Sequence, residues 1–444
     1  MNDATLFPGG LGEPVRPPPA PGGAPRVVGP VRTDAMLLAC DLDTLLAPDH
    51  PARLVWAFVK EQDLSAFYDR IKSREGHAGR PPIDPAILLA LWLYATIKAV
   101  GSARAIAEFS ETDLAYRWIC GGVSPGYHTL ADFRSERGEE FDLLLSQSVA
   151  ALIEGGHVTL ERVAQDGVRV SAEAGTSSFR RQESLQECLK QAQAQVARLR
   201  KELEEDPAAA TRRQAAARER AAREREERVR RALEQQKALA EIKKKNQGAE
   251  GEKSARASTT DPDARVMKMA NHGFEPAYNG QFATDTGSQI IVGADVTNAG
   301  TDLHELGPMC DQLERRYGRR PSEVLVDRGY VSHEGFEEVG GKGTEIYAPV
   351  PVRRADPKDR HAPHEGDGAA VARWRRRMGT KEAEEIYAQR AATAECVNAL
   401  ARNRGLRRVF VRGTEKVRAT FLLFALAHNM MRAVSLRRVA AATI

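Results

Sequence analysis

Along residues 182–205, apolar side chains recur at Leu185, Leu189, Ala192, Val196, Leu199 and Leu203, with charged residues between them. This 4-3-4-3-4 spacing is the seam of a helix that packs on another helix. Pro207 ends it, and Val229, Leu233, Leu239 and Ile242 carry a second apolar row. The charged stretch 182–250 therefore predicts an antiparallel helical hairpin. Upstream, residues 50–155 have helical periodicity. In "PPIDPAILLALWLYATIKAV", Asp84 is placed to cap a helix that starts at Pro85. "SARAIAEFSETDLAYRWIC" and "YHTLADFRSERGEEFDLLLSQSVAALIEGG" follow as amphipathic segments. Short helices with turns between them fit a helix-turn-helix unit and a plain bundle alike.

The period changes at residues 157–174, where "HVTLERVAQDGVRVSAEA" alternates as a strand does. β character returns in "YNGQFATD" and "QIIVGADVT", joined through Thr286-Gly287-Ser288 as a hairpin. A helix over 304–318 ends at Gly318. A buried strand in "SEVLVDRGY", a short helix in "HEGFEEVGGKG" and a strand in "GTEIYAPV" come next. Two helices close the chain, "GTKEAEEIYAQRAATAECVNALARN" and "RATFLLFALAHNMMRAVSLRRV". The order predicts an α/β domain over 156–438 interrupted by the hairpin, preceded by an all-α domain over 35–155. Residues 1–34, rich in Pro and Gly, read as a disordered leader.

Composition sharpens this only locally. The 444 residues are 42% hydrophobic and 28% charged, with a net charge of +4. From Arg373 to Arg438, however, 16 Lys/Arg face 5 Asp/Glu. Such a concentration can neutralise phosphates, or form a salt-bridged helical surface. Five scattered cysteines without a CxxC pair point to a reducing compartment rather than a zinc or disulfide framework. The start "MNDATLFPGG" lacks the pattern of a signal peptide, and the apolar run 86–97 is too short to span a bilayer. The histidines show no ligand spacing, and "GGKG" near 340 lacks the context of a nucleotide-binding loop.

The acidic residues carry the candidate chemistry. Asp166 sits within the strand-like "RVAQDGVRV", and Asp327 ends the apolar "EVLV" run. The carboxyl ends of strands in an open α/β sheet are where ligands bind; an Asp there can also simply cap a turn. Two or three carboxylates near a sheet edge can hold a pair of Mg²⁺ ions. Glu395 is the candidate third acid, on a helical face with Tyr387 and Arg402. Glu382, Glu384 and Glu385 read instead as complements of a helix dipole. Arg265, Lys268 and His272 fit a DNA contact and a docked polar linker equally well. "RGLRRVFVRG" (404–413) interleaves arginines with apolar anchors and is the best basic DNA-contact stretch.

Taken in order, "GRPPIDPAILLALWLYA", "YHTLADFR", "AQDGVRVSA", "TDPDARVMKM", "VLVDRGYVS" and "IYAQRAATAECVNALARNRGLRRVFVRGTEKVRATFLLFALAHNMMR" resemble the DDE transposases of bacterial insertion sequences. The nearest likeness is to the group named after IS1182, within the wider IS4/IS5-like set. The resemblance covers nearly everything from about 50 to 438. It implies a ribonuclease-H-like catalytic domain with Asp166 on the first strand, Asp327 after the fourth and Glu395 on the helix after the fifth. The coiled-coil-like hairpin would be an insertion between the first and second strands, and the helical domain over 35–155 would be the family's N-terminal domain, which binds the element's ends. These three acids would be both catalytic residues and ligands of a two-metal Mg²⁺ site, in which Mn²⁺ can substitute. The reaction implied is cleavage of the element's ends and attack of a 3′-hydroxyl on target DNA.

The wider set carries Tyr-x2-Arg-x3-Glu-x6-Lys around the glutamate. Tyr387 and Arg390 match, but one extra residue precedes Glu395, and Arg402 stands where Lys is usual. Tyr387, Arg390, Arg402, Arg404, Arg407, Arg408 and Arg328 are the expected DNA contacts. The resemblance further implies double-stranded DNA partners (terminal inverted repeats and target), a homodimer in the DNA complex, a cytoplasmic, nucleoid-associated location, and neither membrane nor nucleotide cofactor. An inactive DNA-binding descendant and a nuclease without strand transfer are the competing readings.

Overall fold

The computed structural model describes residues 41–73, 81–205, 209–352 and 360–442. The expected leader and Pro207 lie outside them. Seven helices come first: Pro51–Glu61, Ser65–Asp69, Pro85–Ile97, Ala103–Thr112, Leu114–Cys120, Tyr127–Glu136 and Gly138–Glu154. Asp84 caps the third as expected, its Oδ1 accepting from the Ala86 amide at 2.8 Å. The stretch 102–120, read as one segment, is two helices. Asp113 divides them, accepting from the Ala115 and Tyr116 amides at 2.9 and 3.2 Å, because an Asp at that point offers the backbone a new N-cap. Pro85–Ile97 is apolar all round and is buried as the centre of the bundle.

The strands are β1 (Arg162–Ser171), β2 (Phe179–Arg180), β3 (Ala257–Ser258), β4 (Arg265–Lys268), β5 (Phe274–Asp285), β6 (Ile291–Thr297), β7 (Glu323–Leu325) and β8 (Glu345–Tyr347). Six form one mixed sheet in which β5, β1, β7 and β8 lie side by side, with β4 and β6 sharing the outer edge of β5. β1 pairs antiparallel with β5 and parallel with β7, and β7 pairs parallel with β8. Sequence reading missed the two-residue strands β2 and β3 and two longer elements. One is β4. The other is the helix Ala369–Met378, whose apolar stripe of Val371, Trp374 and Met378 is diluted by four arginines.

Two helices cover the faces of the sheet. Thr414–Ala442 lies on one, where the Phe421 ring takes the space that a side chain at Gly280 would need. Phe282 meets Phe421 and Phe424 with ring centroids 5.2 and 5.4 Å apart. Leu306–Tyr317 covers the other face, with Met309 pressed on Gly293. The stretch Thr414–Arg437 is long and apolar enough to cross a bilayer, but 61% of its most apolar window is buried inside the protein. It also packs against the N-terminal helices, so bundle and sheet share one apolar core.

The hairpin consists of helices Gln182–Glu205 and Ala209–Ser254. Leu185, Ala192, Val196 and Leu199 are buried as the heptad spacing predicts. The second row differs from expectation, since Ile242 is exposed and the buried positions include Glu219, Ala222, Val229, Ala232, Gln236 and Ala240. Small alanines let the helices approach closely, and the seam follows them instead of the larger side chain. β2 and β3 pair at the base of the insertion. Above them, the Arg231 guanidinium makes two bonds to Asp263, at 3.1 and 2.7 Å. Asp263 also accepts from the Thr414 amide at 3.0 Å, and Asp261 accepts from Tyr278 at 2.7 Å and from the Gly413 amide at 3.1 Å. The "TTDPDAR" segment is thus a polar knot joining hairpin, sheet and last helix.

Candidate active site

β1 and β7 run parallel with Ala164 opposite Leu325. Continuing that register by two residues sets Asp327 beside Asp166, and the two-residue period of a strand sends both to the same face. That is the face on which Phe282, opposite Asp166 on β5, meets the last helix. The strand "SEVLVDRGY" is shorter than expected. β7 stops at Leu325, and Arg328–Tyr330 form a 3₁₀ turn capped by Asp327, whose Oδ1 accepts from the Gly329 amide at 2.7 Å. Turn cap and site residue are therefore one and the same carboxylate.

The third acid arrives through an irregular helix. Lys381–Arg390 is α-helical, Ala391–Glu395 is a π turn, and Cys396–Asn403 is α-helical again. A π turn takes up one extra residue without turning the flanking helices away from the surfaces they cover. It brings Arg390 and Glu395, five residues apart, onto one side. Arg390 Nη1 donates to Glu395 Oε1 at 2.7 Å, while its Nη2 lies 2.9 Å from Asp166 Oδ1. One nearly buried guanidinium therefore bridges two of the three expected acids.

Asp166 is strongly perturbed by its surroundings. Burial pushes its carboxyl up to about 6, Arg390 opposes the rise and the charge of Asp327 adds to it. Tyr387 stands beside the same group. Burial raises its phenol, Arg390 opposes, and Asp327, Glu395 and Asp166 reinforce the rise. The Arg390 guanidinium loses solvation on burial, but the surrounding acids hold it firmly protonated.

Two residues of the site escaped sequence reasoning. Asn398 Nδ2 donates to Asp166 Oδ2 at 2.9 Å and to the Gly167 carbonyl at 3.3 Å. Its position three after Glu395, on the same helical face, is the signal that could have found it. Asp302 lies on the opposite face of β1, accepting from Asn279 Nδ2 and Gln281 Nε2 at 2.7 Å each. A Cβ on Gly167 would stand 2.5 Å from Asp302 Oδ1, and one on Gly329 3.4 Å from its Oδ2. Gln281 in turn accepts from the hydroxyl of Tyr330. Tyr330 is fully buried, so it packs instead of facing a ligand. The loop after Asp327 is thereby tied through Gln281 to Asp302.

The basic residues spread further. Arg328 and Arg402 are exposed. Arg407 is exposed and donates to the Arg402 carbonyl at 3.2 Å, and Arg408 pairs with Glu173 at 3.2 Å. Arg404 is half-buried and its charge is disfavoured by burial. The stretch 404–413 adds a short bridge to the end of β1, with the Ser171 amide donating to the Arg407 carbonyl and the Val409 amide to the Ser171 carbonyl, both at 2.9 Å. Arg265 turns inward to the carbonyls of Pro262 and Ala264, while Lys268 and His272 are exposed.

Among the described residues, no three acidic, His or Cys side chains are placed as a ready metal cage. The donor set nonetheless suits a hard divalent cation, because Asp166, Asp327 and Glu395 offer only carboxylate oxygens. Between two of them a cationic group already sits.

Residues 40–136 match the family described as Transposase domain (DUF772), and residues 355–434 match that described as Transposase DDE domain. No curated protein matches the chain, and no solved structure does. The second match contains Tyr387, Arg390, Glu395 and Asn398, whereas Asp166 and Asp327 join them through the sheet. The chain thus carries two transposase domains by similarity, one in the N-terminal helices and one spanning the helix of Glu395.

Proposed function

We propose that the protein is a DNA transposase of the insertion-sequence type, cutting the ends of its element and joining the freed 3′-hydroxyl to target DNA. The observation that carries this reading is the meeting of Asp166 and Glu395 on Arg390, with Asp327 alongside. The strand order β6-β5-β1-β7-β8, antiparallel on one side of β1 and parallel on the other, supports a ribonuclease-H-like catalytic domain. Asp166, Asp327 and Glu395 are the residues that would hold Mg²⁺ or Mn²⁺. A pair of such ions held there would supply activation of an attacking hydroxyl and of the leaving oxygen of a phosphodiester.

The chain's own groups prepare that chemistry. Asn398 orients Asp166 by holding Oδ2 and leaves its other oxygen toward Arg390. Arg390 keeps the two acids together in the absence of another cation, and its fork also matches phosphate geometry. Tyr387, Arg328 and Arg402 lie on the approach to the acids or the exposed surface nearby, where a DNA backbone would pass. The partners proposed are the element's inverted repeats and target DNA, held by at least two copies of the protein in the cytoplasm.

The test is incubation of purified protein with DNA carrying the element's own end and Mg²⁺ or Mn²⁺, comparing wild type with Asp327→Ala. Cleavage at the end that disappears in the variant supports the reading. Binding without cleavage by either protein favours an inactive DNA-binding descendant.

A further inference from the structure

A groove of about 910 Å³ lies between helices Ala103–Thr112 and Tyr127–Glu136, the hairpin helix Ala209–Ser254 and the segment 410–416. Its charges are unbalanced once paired groups are set aside. Of its acids, Asp263 is held by Arg231, Glu173 by Arg408 and Glu227 by Arg230. Asp261 is occupied by Tyr278 and Gly413. Glu224 and Asp261 are the two acids without a cationic partner among the described residues. Against them stand Arg104, Arg134, Arg228, Arg412 and Lys416, none with a carboxylate partner among the described residues.

Two exposed aromatic rings line the same groove, Tyr127 and Phe410, and the Arg104 guanidinium lies 5.1 Å from the Tyr127 ring centroid. Arg134 is the independent sign of a ligand. It is only 4% exposed, it donates to the Gly101 carbonyl at 2.7 Å and rests on Trp92, yet its Nε has no partner. A buried cation with no acid beside it is costly unless an anion completes it.

We propose that this groove is a second DNA-binding surface, separate from the carboxylate centre, which grips the phosphate backbone of the DNA and rests its bases or sugars on Tyr127 and Phe410. Glu173, at its rim, is seven residues beyond Asp166 along and just past β1, roughly 23 Å at about 3.3 Å per residue. A duplex leaving the carboxylates would reach it after about seven base pairs. Unpaired cations supply sequence-independent attraction, and the exposed rings supply stacking surfaces. The inference rests on the transposase reading.

The experiment measures binding of the full chain to a duplex of about 40 base pairs, in EDTA, between about 50 and 200 mM NaCl. The variants are Arg104→Ala/Arg412→Ala and Phe410→Ala, each checked for unchanged thermal unfolding. Both arginines are exposed, so the fold is expected to survive their loss. The expected result is weaker binding by the double variant to every sequence, with a log K against log[salt] slope shallower by about 2. Phe410→Ala should weaken binding without changing that slope. If wild type binds DNA and the double variant matches it in affinity and slope, the groove is overturned and the transposase reading stands. If wild type binds no DNA, both fall.

Discussion

Glu395 follows Arg390 by five residues, yet its Oε1 accepts from Arg390 Nη1 at 2.7 Å. In a regular α-helix, residues three and four apart are neighbours and residues five apart diverge. The π turn Ala391–Glu395 restores the contact. The extra residue that breaks the Tyr-x2-Arg-x3-Glu pattern is therefore absorbed where it occurs, and the acid reaches Asp166's guanidinium partner all the same.

Deleting Ala392 should convert the π turn into α-helix and leave both flanking helices on their present surfaces, because the turn holds the one surplus residue. Arg390 and the glutamate would then be four apart, still on one face. A folded protein with a thermal midpoint near wild type and retained DNA cleavage is expected. Loss of soluble, folded protein would show that the π turn is required for packing.

Asp166 gives a pH dependence with a definite sign. Its folded value of about 6 lies above the ordinary 3.8, so its contribution favours folding below about pH 4 and is lost as pH rises through about 6. A divalent cation binds the ionised form and offsets that loss. Mg²⁺ should therefore raise the midpoint of thermal unfolding more at about pH 7.5 than at about pH 5, and DNA cleavage should decline below about pH 6. Equal Mg²⁺ shifts at the two pH values would rule out this role for Asp166.

Asn398→Asp places a second carboxylate about 3 Å from Asp166, where Asn398 now donates. Repulsion and the lost bond should destabilise the protein by roughly 1–3 kcal/mol at neutral pH. The effect should shrink near pH 5, where one of the two acids takes a proton. A chemical-denaturation series over pH checks this; a penalty independent of pH contradicts the assignment.

Asp302→Ala strips the acceptor from Asn279 and Gln281 and loosens Tyr330 behind Asp327. Leaving these amide donors unpaired should cost about 1–3 kcal/mol. Cleavage should fall by more than stability explains, since the loop of Asp327 loses its anchor. Rates measured well below the unfolding midpoint separate the two effects. Gly167→Ala should fail in wild type and be partly rescued by Asp302→Ala, which removes the nearest clashing atom.

Asp263→Ala should be among the more damaging changes outside the site, at roughly 1–3 kcal/mol, because it leaves the half-buried Thr414 amide unpaired while the half-exposed Arg231 regains water. Asp263 is buried, holds Arg231 of the hairpin and accepts from the first residue of the last helix. Denaturant unfolding measures it. A loss under about 1 kcal/mol would mean that water replaces the knot easily.

Much of this architecture was legible in the chain itself. Period set the helices and strands, Asp84 and Gly318 marked helix ends, and the Leu185–Leu199 seam marked the hairpin, because these follow from contacts between residues near in sequence. Asp166, Asp327 and Glu395 stood out as acids at strand ends and on a helix. Their relation did not. The parallel register of β1 and β7, the π turn, the Arg390 bridge, Asn398 on Asp166 and Asp302 behind Gly167 join residues up to 232 positions apart. Local propensity carries no information about such pairs. Sheet pairing and the packing of the last two helices decide them, and with them which acids share one cation and which merely cap a turn.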